Sequence, residues 1–285
     1  MAIMPDVDGL DEAVRALGEW QHDGAPMQLH PGDLGWYRRF GAEKAAAAVR
    51  VWRRDGRILA VGLLDGPELL RLTTAPDVRR DEELARQLAE DIVEPSRGVL
   101  PAGRVNVEAP RDALLHDLLA EAGWDVDEPW TPLCHDLAEP VPDPVLRIEV
   151  AGPAQADVRA VVHRASFGRS TFTAESWHTM AAGPAYADAR CLIAYNSRGA
   201  AVAAVTVWSA GAGRPGLLEP MGVHQDHRGH GYGRAISVAA AAALRQLGSS
   251  SAIVCTPSSN VGAVATYASA GFRPLPEVRD RYRDA

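Results

Sequence analysis

Three glycines at alternate positions, followed directly by an alanine-rich run, constrain this chain more than any other feature. The glycines occur in residues 226–234, DHRGHGYGR. In residues 235–247 the larger apolar side chains recur with helical spacing, and Gly248 follows, so the run predicts a helix. The apolar runs 201–208 and 217–223 predict two preceding strands. The glycines therefore lie between a strand and a helix N-terminus.

This glycine loop is suited to binding an anion. A helix N-terminus leaves backbone N–H groups unpaired and carries a partial positive charge, and glycines let a negative group approach without meeting a Cβ. Phosphate or pyrophosphate fits this geometry, and Arg228 and Arg234 flank the loop, where they can add charge-assisted contacts. A P-loop requires a lysine that the loop lacks, and the dinucleotide motif GxGxxG requires a glycine where Arg234 or Ile236 stands. Both of those phosphate-binding motifs are excluded.

The chain divides into two nearly equal halves. Residues 139–144, EPVPDP, alternate prolines, which fix φ and lack a donor, so this segment predicts a linker. An offset of 148 residues then aligns the halves without an insertion, with AEAGW at 120–124 over ASAGF at 268–272. We therefore expect duplicated domains at 1–139 and 146–285.

The first half lacks the glycine loop. At the same offset, its aligned positions are occupied by Asp81, Glu83 and Ala85 in place of Gly229, Gly231 and Gly233. Two carboxylates and a methyl group replace a bare backbone. We expect the first half to repel the anion that the second half binds.

Composition and charge exclude several other classes of protein. A formal net charge of −8 and a pI near 5.6 argue against nucleic-acid binding and favour a cationic small molecule as partner. Cys134, Cys191 and Cys255 lie far apart and predict neither a disulfide framework nor a zinc site. No signal peptide or membrane span is evident, so a cytoplasmic protein without a membrane partner is expected. A homodimer is left open.

Two motifs together resemble the GCN5-related N-acetyltransferase (GNAT) superfamily. The first is Arg-x-x-Gly-x-Gly at residues 228–233, and the second begins at Asn260, with Ala263, Tyr267 and the Gly271-Phe272 pair downstream. They stand in the right order, with a helix and a strand between them. The resemblance covers the chain roughly from Leu146 onward, and the first half resembles a degenerate copy. It implies an α/β fold of tandem domains, each a mixed, mostly antiparallel, splayed sheet flanked by helices.

The resemblance also implies acetyl-CoA as cosubstrate, with its pyrophosphate on the glycine loop, and no metal. His224, His227 and His230 stand three apart, but no carboxylate or thiolate completes a metal-ligand set, and we expect them to surround the CoA phosphates. Asn260 is also expected to cap its helix. The cofactor-binding residues carried over from the family are Met221, Gly222, Val223, Arg228, Gly229, His230, Gly231, Tyr232, Gly233, Arg234 and Asn260.

Acetyl transfer to an amine needs a neutral nucleophile, a stabilised oxyanion and a proton for the departing thiolate. Alkylamines with pKa values of roughly 10 are protonated at neutral pH; a nearby carboxylate, acting directly or through water, can take this proton, and Glu219 is the candidate. The resemblance also leaves open a reaction without a unique base, in which water takes the proton. A solvated or ion-paired strand residue is the alternative reading of Glu219. Tyr267 resembles the family's general acid, and a core tyrosine is its alternative. A backbone N–H within residues 221–223 would meet the oxyanion.

These features predict an N-acetyltransferase that transfers an acetyl group to a primary amine of a small molecule by direct attack. A noncatalytic acyl-CoA-binding or regulatory module, and an enzyme that acts on protein N-termini or lysines, are the alternatives. We expect acceptor recognition from residues 167–186. The aromatic side chains expected to wall the pocket are Phe172, Trp177, Tyr186 and Trp208, and Glu175 or Asp188 would attract a cation. The alternative is that these aromatics only close the core.

Overall fold

The computed structural model describes residues 1–284, and its elements follow the apolar periodicity of the sequence. The first half contains the helices α1 (Val7–Trp20), α2 (Pro31–Tyr37), α3 (Ala42–Ala48), α4 (Glu82–Val93) and α5 (Leu115–Glu121). Its strands are β1 (Val49–Arg54), β2 (Arg57–Leu64), β3 (Leu69–Thr74), β4 (Val105–Glu108) and β5 (Asp125–Asp136).

The second half repeats this alternation of helices and strands. Its helices are α6 (Ala156–Ser166), α7 (Ala174–Ala181), α8 (Tyr232–Gln246) and α9 (Val261–Ser269). Its strands are β6 (Arg147–Val150), β7 (Ala189–Tyr195), β8 (Ala201–Trp208), β9 (Gly216–Val223), β10 (Ser251–Pro257), β11 (Arg273–Pro274) and β12 (Val278–Arg283).

All strands of the described residues join one mixed sheet in the order β1-β2-β3-β4-β12-β5-β10-β9-β8-β7-β6, with β11 paired to β5. The last strand of each half pairs across the chain. β12 lies between β4 and β5, with Tyr282 opposite Asn106, and β5 continues along β10, with Cys134 opposite Ile253. The two halves therefore share a single hydrogen-bonded sheet.

Helices cover both faces of this sheet, so alternate residues of a strand belong to different hydrophobic clusters. In β7, Leu192 and Ala194 join the cluster that contains α8, whereas Cys191 and Ile193 join the one that contains α6 and α7. The first half has the same arrangement, with α4 and α5 in one cluster and α1 and α3 in the other. The mixed α/β architecture is thus present in both halves, as the sequence predicts.

The internal repeat is visible in the backbone. Gly123 and Gly271 both have a positive φ, of 83° and 95°, and each precedes a buried aromatic residue, Trp124 and Phe272. β3 corresponds to β9 and β4 to β10 at the offset read from the sequence. The offset does not extend to β1 and β2, where the halves differ in register by several residues.

The predicted elements around the loop need one correction. β8 has the predicted bounds, and β9 begins one residue before the predicted start. The helix after the loop begins at Tyr232 rather than at residue 235, because Gly231 takes the left-handed conformation (φ 78°) and serves as its N-cap. Gly233 therefore lies in the first turn of α8. The proline-rich segment contains no helix or strand within residues 137–146, and no helix in residues 1–284 is long and apolar enough to cross a membrane.

Truncation after Glu277 removes β12 and therefore tests the pairing of β12 with β4 and β5 of the first half. β4 then loses one of its two neighbours, so the amides of residues 105–108 are expected to exchange with deuterium faster, while those of the β1–β2 hairpin keep their protection. Hydrogen-exchange mass spectrometry measures both regions.

The variant Tyr282→Pro removes one backbone donor from the same strand and replaces the truncation if the shortened chain does not fold. If both variants show faster deuterium exchange only in the second half, the pairing of β12 with β4 and β5 is contradicted.

Candidate functional site

The strands β9 and β10 pair only at their beginnings and then separate. Their parallel contact consists of Ala252 opposite Gly216 and Ile253 opposite Leu217, although β9 runs on to Val223. β9 is also irregular against β8, where the register shifts between Val205 and Val207. This irregularity contains Glu219 and Pro220, so the sheet opens where the sequence places the candidate base.

The open edge of β9 offers unpaired donors. His224 N–H donates to Val202 O at 2.9 Å, and in an antiparallel ladder alternate residues direct their N–H groups to the same neighbour. Gly222 therefore pairs toward β8, whereas the N–H groups of Met221 and Val223 point away from β8 into the gap. These two donors have the orientation that the predicted oxyanion role requires.

The glycine loop presents a row of free N–H groups at the start of α8. No backbone N–H from Gly229 to Arg234 donates to another group within residues 1–284. Gly229 and Gly231 have positive φ values of 80° and 78°, and a Cβ built on either would meet nothing within 4 Å. The loop thus combines a helix N-terminus with an open, side-chain-free approach, which is the geometry of an anion site.

Gly233 and Gly222 serve a different purpose, which is close packing. A Cβ on Gly233 would lie 2.8 Å from Cγ2 of Thr266, and one on Gly222 would lie 2.5 Å from Cβ of Ser166. Gly233 lets α8 approach α9, and Gly222 lets the end of α6 lie against β9.

Several charged and aromatic side chains of the loop contact other residues of the protein. Arg228 Nη2 donates to Ser166 O at 2.9 Å, and Arg234 Nε donates to Ser269 O at 2.8 Å, so each arginine also anchors the loop. The ring of His230 lies 5.9 Å from that of Tyr232. Within residues 1–284 no cluster of histidine, cysteine or carboxylate side chains is arranged to hold a metal ion.

A cavity of about 410 Å³ occupies the opening between β9 and β10. Glu219, Met221, Asn260 and Tyr267 line it together, so the structure brings these predicted residues to one place. The loop residues 228–234 lie outside its lining. The cavity is also lined by Asp65, Leu69, Arg71, Glu108, Trp130, Phe167, Cys255, Val278 and Asp280.

Glu219 is half-buried and has no hydrogen-bond or ion-pair partner within residues 1–284. Burial raises the pKa of Glu219 to about 8, with the negative charge of Asp33 as the next cause and Arg71 opposing it. Trp208 Nε1 donates to Glu219 O at 2.7 Å, which fixes the backbone of this residue. Glu219 is therefore neither freely solvated nor ion-paired.

Tyr267 and Asn260 reach the same cavity from α9. Tyr267 is only 6% exposed, yet its hydroxyl forms no hydrogen bond within residues 1–284. Burial raises the pKa of Tyr267 above its ordinary range, and Glu219 and Cys255 raise it further, so the hydroxyl remains a proton donor. Asn260 Oδ1 accepts from Ala263 N–H at 3.2 Å, which confirms it as the cap of α9.

The first half supplies one wall of the cavity, through residues that the sequence analysis did not name. Arg71 is nearly buried and donates from Nη1 to Asp33 Oδ1 and from Nε to Glu108 Oε2, both at 2.8 Å. At the repeat offset Arg71 falls opposite Glu219, so the two halves place charges of opposite sign at corresponding positions of β3 and β9. That alignment was the signal that could have identified Arg71.

The helix α2 brings Asp33 to this wall by packing on the second half. A Cβ on either Gly32 or Gly35 would lie 2.5 Å from Trp208, so only glycine permits this contact. His30, the N-cap of α2, accepts from Gly32 N–H through Nδ1, so its Nε2–H donates to Pro215 O at 3.2 Å. Burial lowers the pKa of His30 to about 4, which keeps the ring neutral in this bridge.

For the aromatic side chains expected to wall the acceptor pocket, the structure supports the alternative, closure of the core. Phe172, Trp177 and Trp208 are at most 4% exposed and belong to a hydrophobic cluster with Tyr186 packed against it. Glu175 and Asp188 are exposed and do not line the cavity. Of this segment only Phe167 reaches the cavity. The aromatic side chains close the core under α6 and α7, because burying their large apolar surface is favourable.

The helix α4 of the first half begins differently from α8. Asp81 is its N-cap and accepts from Leu84 N–H at 2.7 Å, and Arg54 donates to both oxygens of the same carboxylate. These hydrogen bonds lower the pKa of Asp81 to about 2, with the Arg54 contact as the main cause. A fixed negative charge thus occupies the helix N-terminus that is open in the second half.

Comparison with known sequences identifies the second half. Residues 162–272 match the model of the acetyltransferase (GNAT) family. No curated protein sequence matches the chain.

Several solved structures have the same fold over the whole chain. A tandem GNAT protein from the clavulanic acid biosynthesis pathway, solved without AcCoA, is 19% identical, with a TM-score of 0.63 and coverage of 100% of this chain and 98% of its own. A GCN5-related N-acetyltransferase from Sphaerobacter thermophilus is 19% identical (TM-score 0.60, coverage 100% and 95%). A GNAT-family acetyltransferase from Colwellia psychrerythraea is 17% identical (TM-score 0.61, coverage 100% and 99%). Residues 162–272 therefore match the GNAT acetyltransferase family model, and over its full length the chain has the tandem GNAT fold.

Proposed function

We propose that this protein transfers an acetyl group from acetyl-CoA to a primary amine of a small molecule. Residues 146–285 form the catalytic domain, and residues 1–139 form a degenerate copy without a cofactor loop. The observation that carries the proposal is the meeting of Glu219 and Tyr267, both without partners, at one cavity in the opening of the sheet.

The second half has the groups that acetyl-CoA requires. Free N–H groups of residues 229–234 fit its pyrophosphate, and the unpaired N–H groups of Met221 and Val223 fit a chain lying along the open edge of β9. Gly222, Arg228, His230, Tyr232 and Arg234 frame this path. Acetyl-CoA supplies the activated acyl group, and the residues of the chain orient it and move protons.

Glu219 acts as the general base in this proposal. The ammonium group of the acceptor gives its proton to the carboxylate, and the amine nitrogen then attacks the thioester carbonyl carbon. A base with a pKa of about 8 removes this proton far better than an ordinary carboxylate of pKa about 4 would. The negative charges of the first half therefore strengthen the base of the second half.

The remaining steps use backbone donors and Tyr267. A C–N bond forms, and the oxyanion is met by the N–H of Met221 or Val223. The C–S bond then breaks, and the thiolate of CoA receives a proton from the Tyr267 hydroxyl. A thiol of pKa about 8.5 is a good leaving group, so Tyr267 assists departure without being indispensable.

The size and walls of the cavity favour a small acceptor over a protein. The cavity measures about 410 Å³, and residues of both halves surround it, including Leu69 and Glu108 of the first half and Phe167 of the second. A noncatalytic acyl-CoA-binding module would need neither Glu219 nor Tyr267 at this point. The tests below separate cofactor binding from chemistry.

The glycine loop is tested by Gly231→Asp. The new carboxylate would stand beside the free N–H groups and repel the pyrophosphate, so acetyl-CoA affinity is expected to fall by at least about 30-fold, measured by titration calorimetry. Gly199→Asp is the matched control, since Gly199 has a nearly identical φ of 80° and equally open surroundings in another turn. Equal affinity in both variants would rule out the loop as the cofactor site.

The base is tested by Glu219→Gln across the pH range. In the wild-type protein the carboxylate becomes available only as pH rises, so kcat/KM is expected to increase through an apparent pKa near 8. The variant is expected to lose roughly 10²–10⁴-fold in kcat/KM and to retain acetyl-CoA binding.

Ionisation of the acceptor amine affects both proteins equally, so its effect cancels in the ratio of wild-type to variant kcat/KM at each pH. A ratio that is constant between about pH 6 and pH 9 would exclude Glu219 as the base. Acetyl-CoA binding without acetyl transfer in the wild-type protein would instead favour the noncatalytic module.

A further inference from the structure

We propose that the acceptor carries a second cationic group, which Asp280 holds with help from Glu108 while the reacting amine lies beside Glu219. This proposal rests on the proposed function, because it assigns the acceptor class of the same site. The acceptor is then a diamine: a primary alkylamine with another positive charge at the far end of a short apolar chain.

The charges that line the cavity are unbalanced. Four carboxylates face it, from Asp65, Glu108, Glu219 and Asp280, and the only basic lining residue is Arg71. Two of the donors of Arg71 are already directed to Asp33 and Glu108 at 2.8 Å. Asp280, like Glu219, has no hydrogen-bond or ion-pair partner within the described residues 1–284.

The pKa of Asp280 is raised by its burial first and by this imbalance of charge second. Burial raises the pKa of Asp280 to about 7, and the negative charges of Glu108 and Asp127 add to the effect, while Arg71 opposes it. Glu219 is shifted in the same direction by Asp33, Asp65 and Glu108. A carboxyl group with a raised pKa gains from a cation that enters its surroundings, since the cation stabilises the ionised form.

A second feature, on the helix α9, points to a polar ligand in this cavity. Tyr267 is 94% buried, lines the cavity, and has a hydroxyl without a partner within residues 1–284. An unpaired polar group at such a depth costs free energy unless a ligand or water completes it. The acidic side chains and the unpaired hydroxyl therefore open onto the same space.

The two carboxylates come from different strands that line the same cavity. Glu219 belongs to β9, whereas Asp280 belongs to β12, the strand that crosses into the first half and pairs with β4 and β5. Apolar side chains form the remaining wall, among them Leu69, Trp130 and Val278. A chain of methylene groups can pack on these side chains while its two ammonium groups meet carboxylates.

The two amines would have different fates. The amine beside Glu219 loses its proton and is acetylated, whereas the amine beside Asp280 stays protonated and keeps its ion pair. Asp280 acts only in binding and does not touch the reacting atoms. Its loss should therefore raise KM for a diamine and leave kcat nearly unchanged.

The experiment compares α,ω-diaminopentane with pentylamine, which has the same chain and a single amine, at saturating acetyl-CoA. In the wild-type protein the diamine is expected to have a kcat/KM about 100-fold higher or more. Asp280→Asn is expected to lower the diamine value by roughly 10- to 100-fold through KM and to change the pentylamine value by no more than about twofold. Asp284→Asn is the control, since Asp284 is exposed and pairs with Arg104 at the surface.

The outcomes separate this proposal from the proposed function. Equal kcat/KM for the two amines, or an equal loss for both in Asp280→Asn, would overturn the second cation and leave the acetyltransferase intact. Failure of the wild-type protein to acetylate either amine, with acetyl-CoA still bound, would overturn the diamine acceptor, whereas loss of acetyl-CoA binding would overturn the proposed function itself. A thermal unfolding temperature of Asp280→Asn equal to or above that of the wild type is expected, because the substitution removes repulsion with Glu108 and Asp127.

Discussion

The pairing of β5 with both β10 and β12 is the constraint on which the rest of the structure depends. This strand uses its first residues to pair with β12 and its last to pair with β10, while β12 also pairs with β4. Each half thus completes its sheet with a strand that adjoins the other half. The edges that would otherwise be open are covered, and the halves are fixed in one relative position. In this position residues of β3, β4 and β12 line the cavity beside Glu219 together with residues of β9.

Within that frame, equivalent positions have diverged in charge. The helix N-terminus is bare at its N-cap Gly231 in the second half, whereas in the first half the Asp81 carboxylate caps it. Where β9 carries Glu219, β3 carries Arg71, and where α9 carries Tyr267, α5 carries the buried Leu119. On the proposed function, the cleft of the first half has lost its cofactor chemistry, and its charged residues now tune the base and shape the acceptor site.

The sequence predicted the parts of the site that depend on local geometry. Glycines between a strand and a helix, the Asn260 cap and the strand before the loop are set by residues close in the chain, and the structure confirms those elements. The start of α8 was misplaced because Gly231, and not a polar side chain, ends the loop. The wall formed by Arg71, Asp65 and Glu108 was missed because it depends on contacts between distant segments. The sequence left open whether Phe172 and Trp177 wall a pocket or close the core. Burial of their large apolar surface is favourable, and they lie in the core.

The number of acetyl-CoA molecules bound per chain distinguishes a tandem protein with one working cleft from one with two. Native mass spectrometry of the intact protein at saturating acetyl-CoA measures this directly. One molecule per chain is expected, because α8 has a free N-terminus beside an open strand edge, while Asp81 and Arg54 close the corresponding end of α4. Two molecules per chain would contradict the division of roles between the halves, and none would contradict the assignment of the glycine loop.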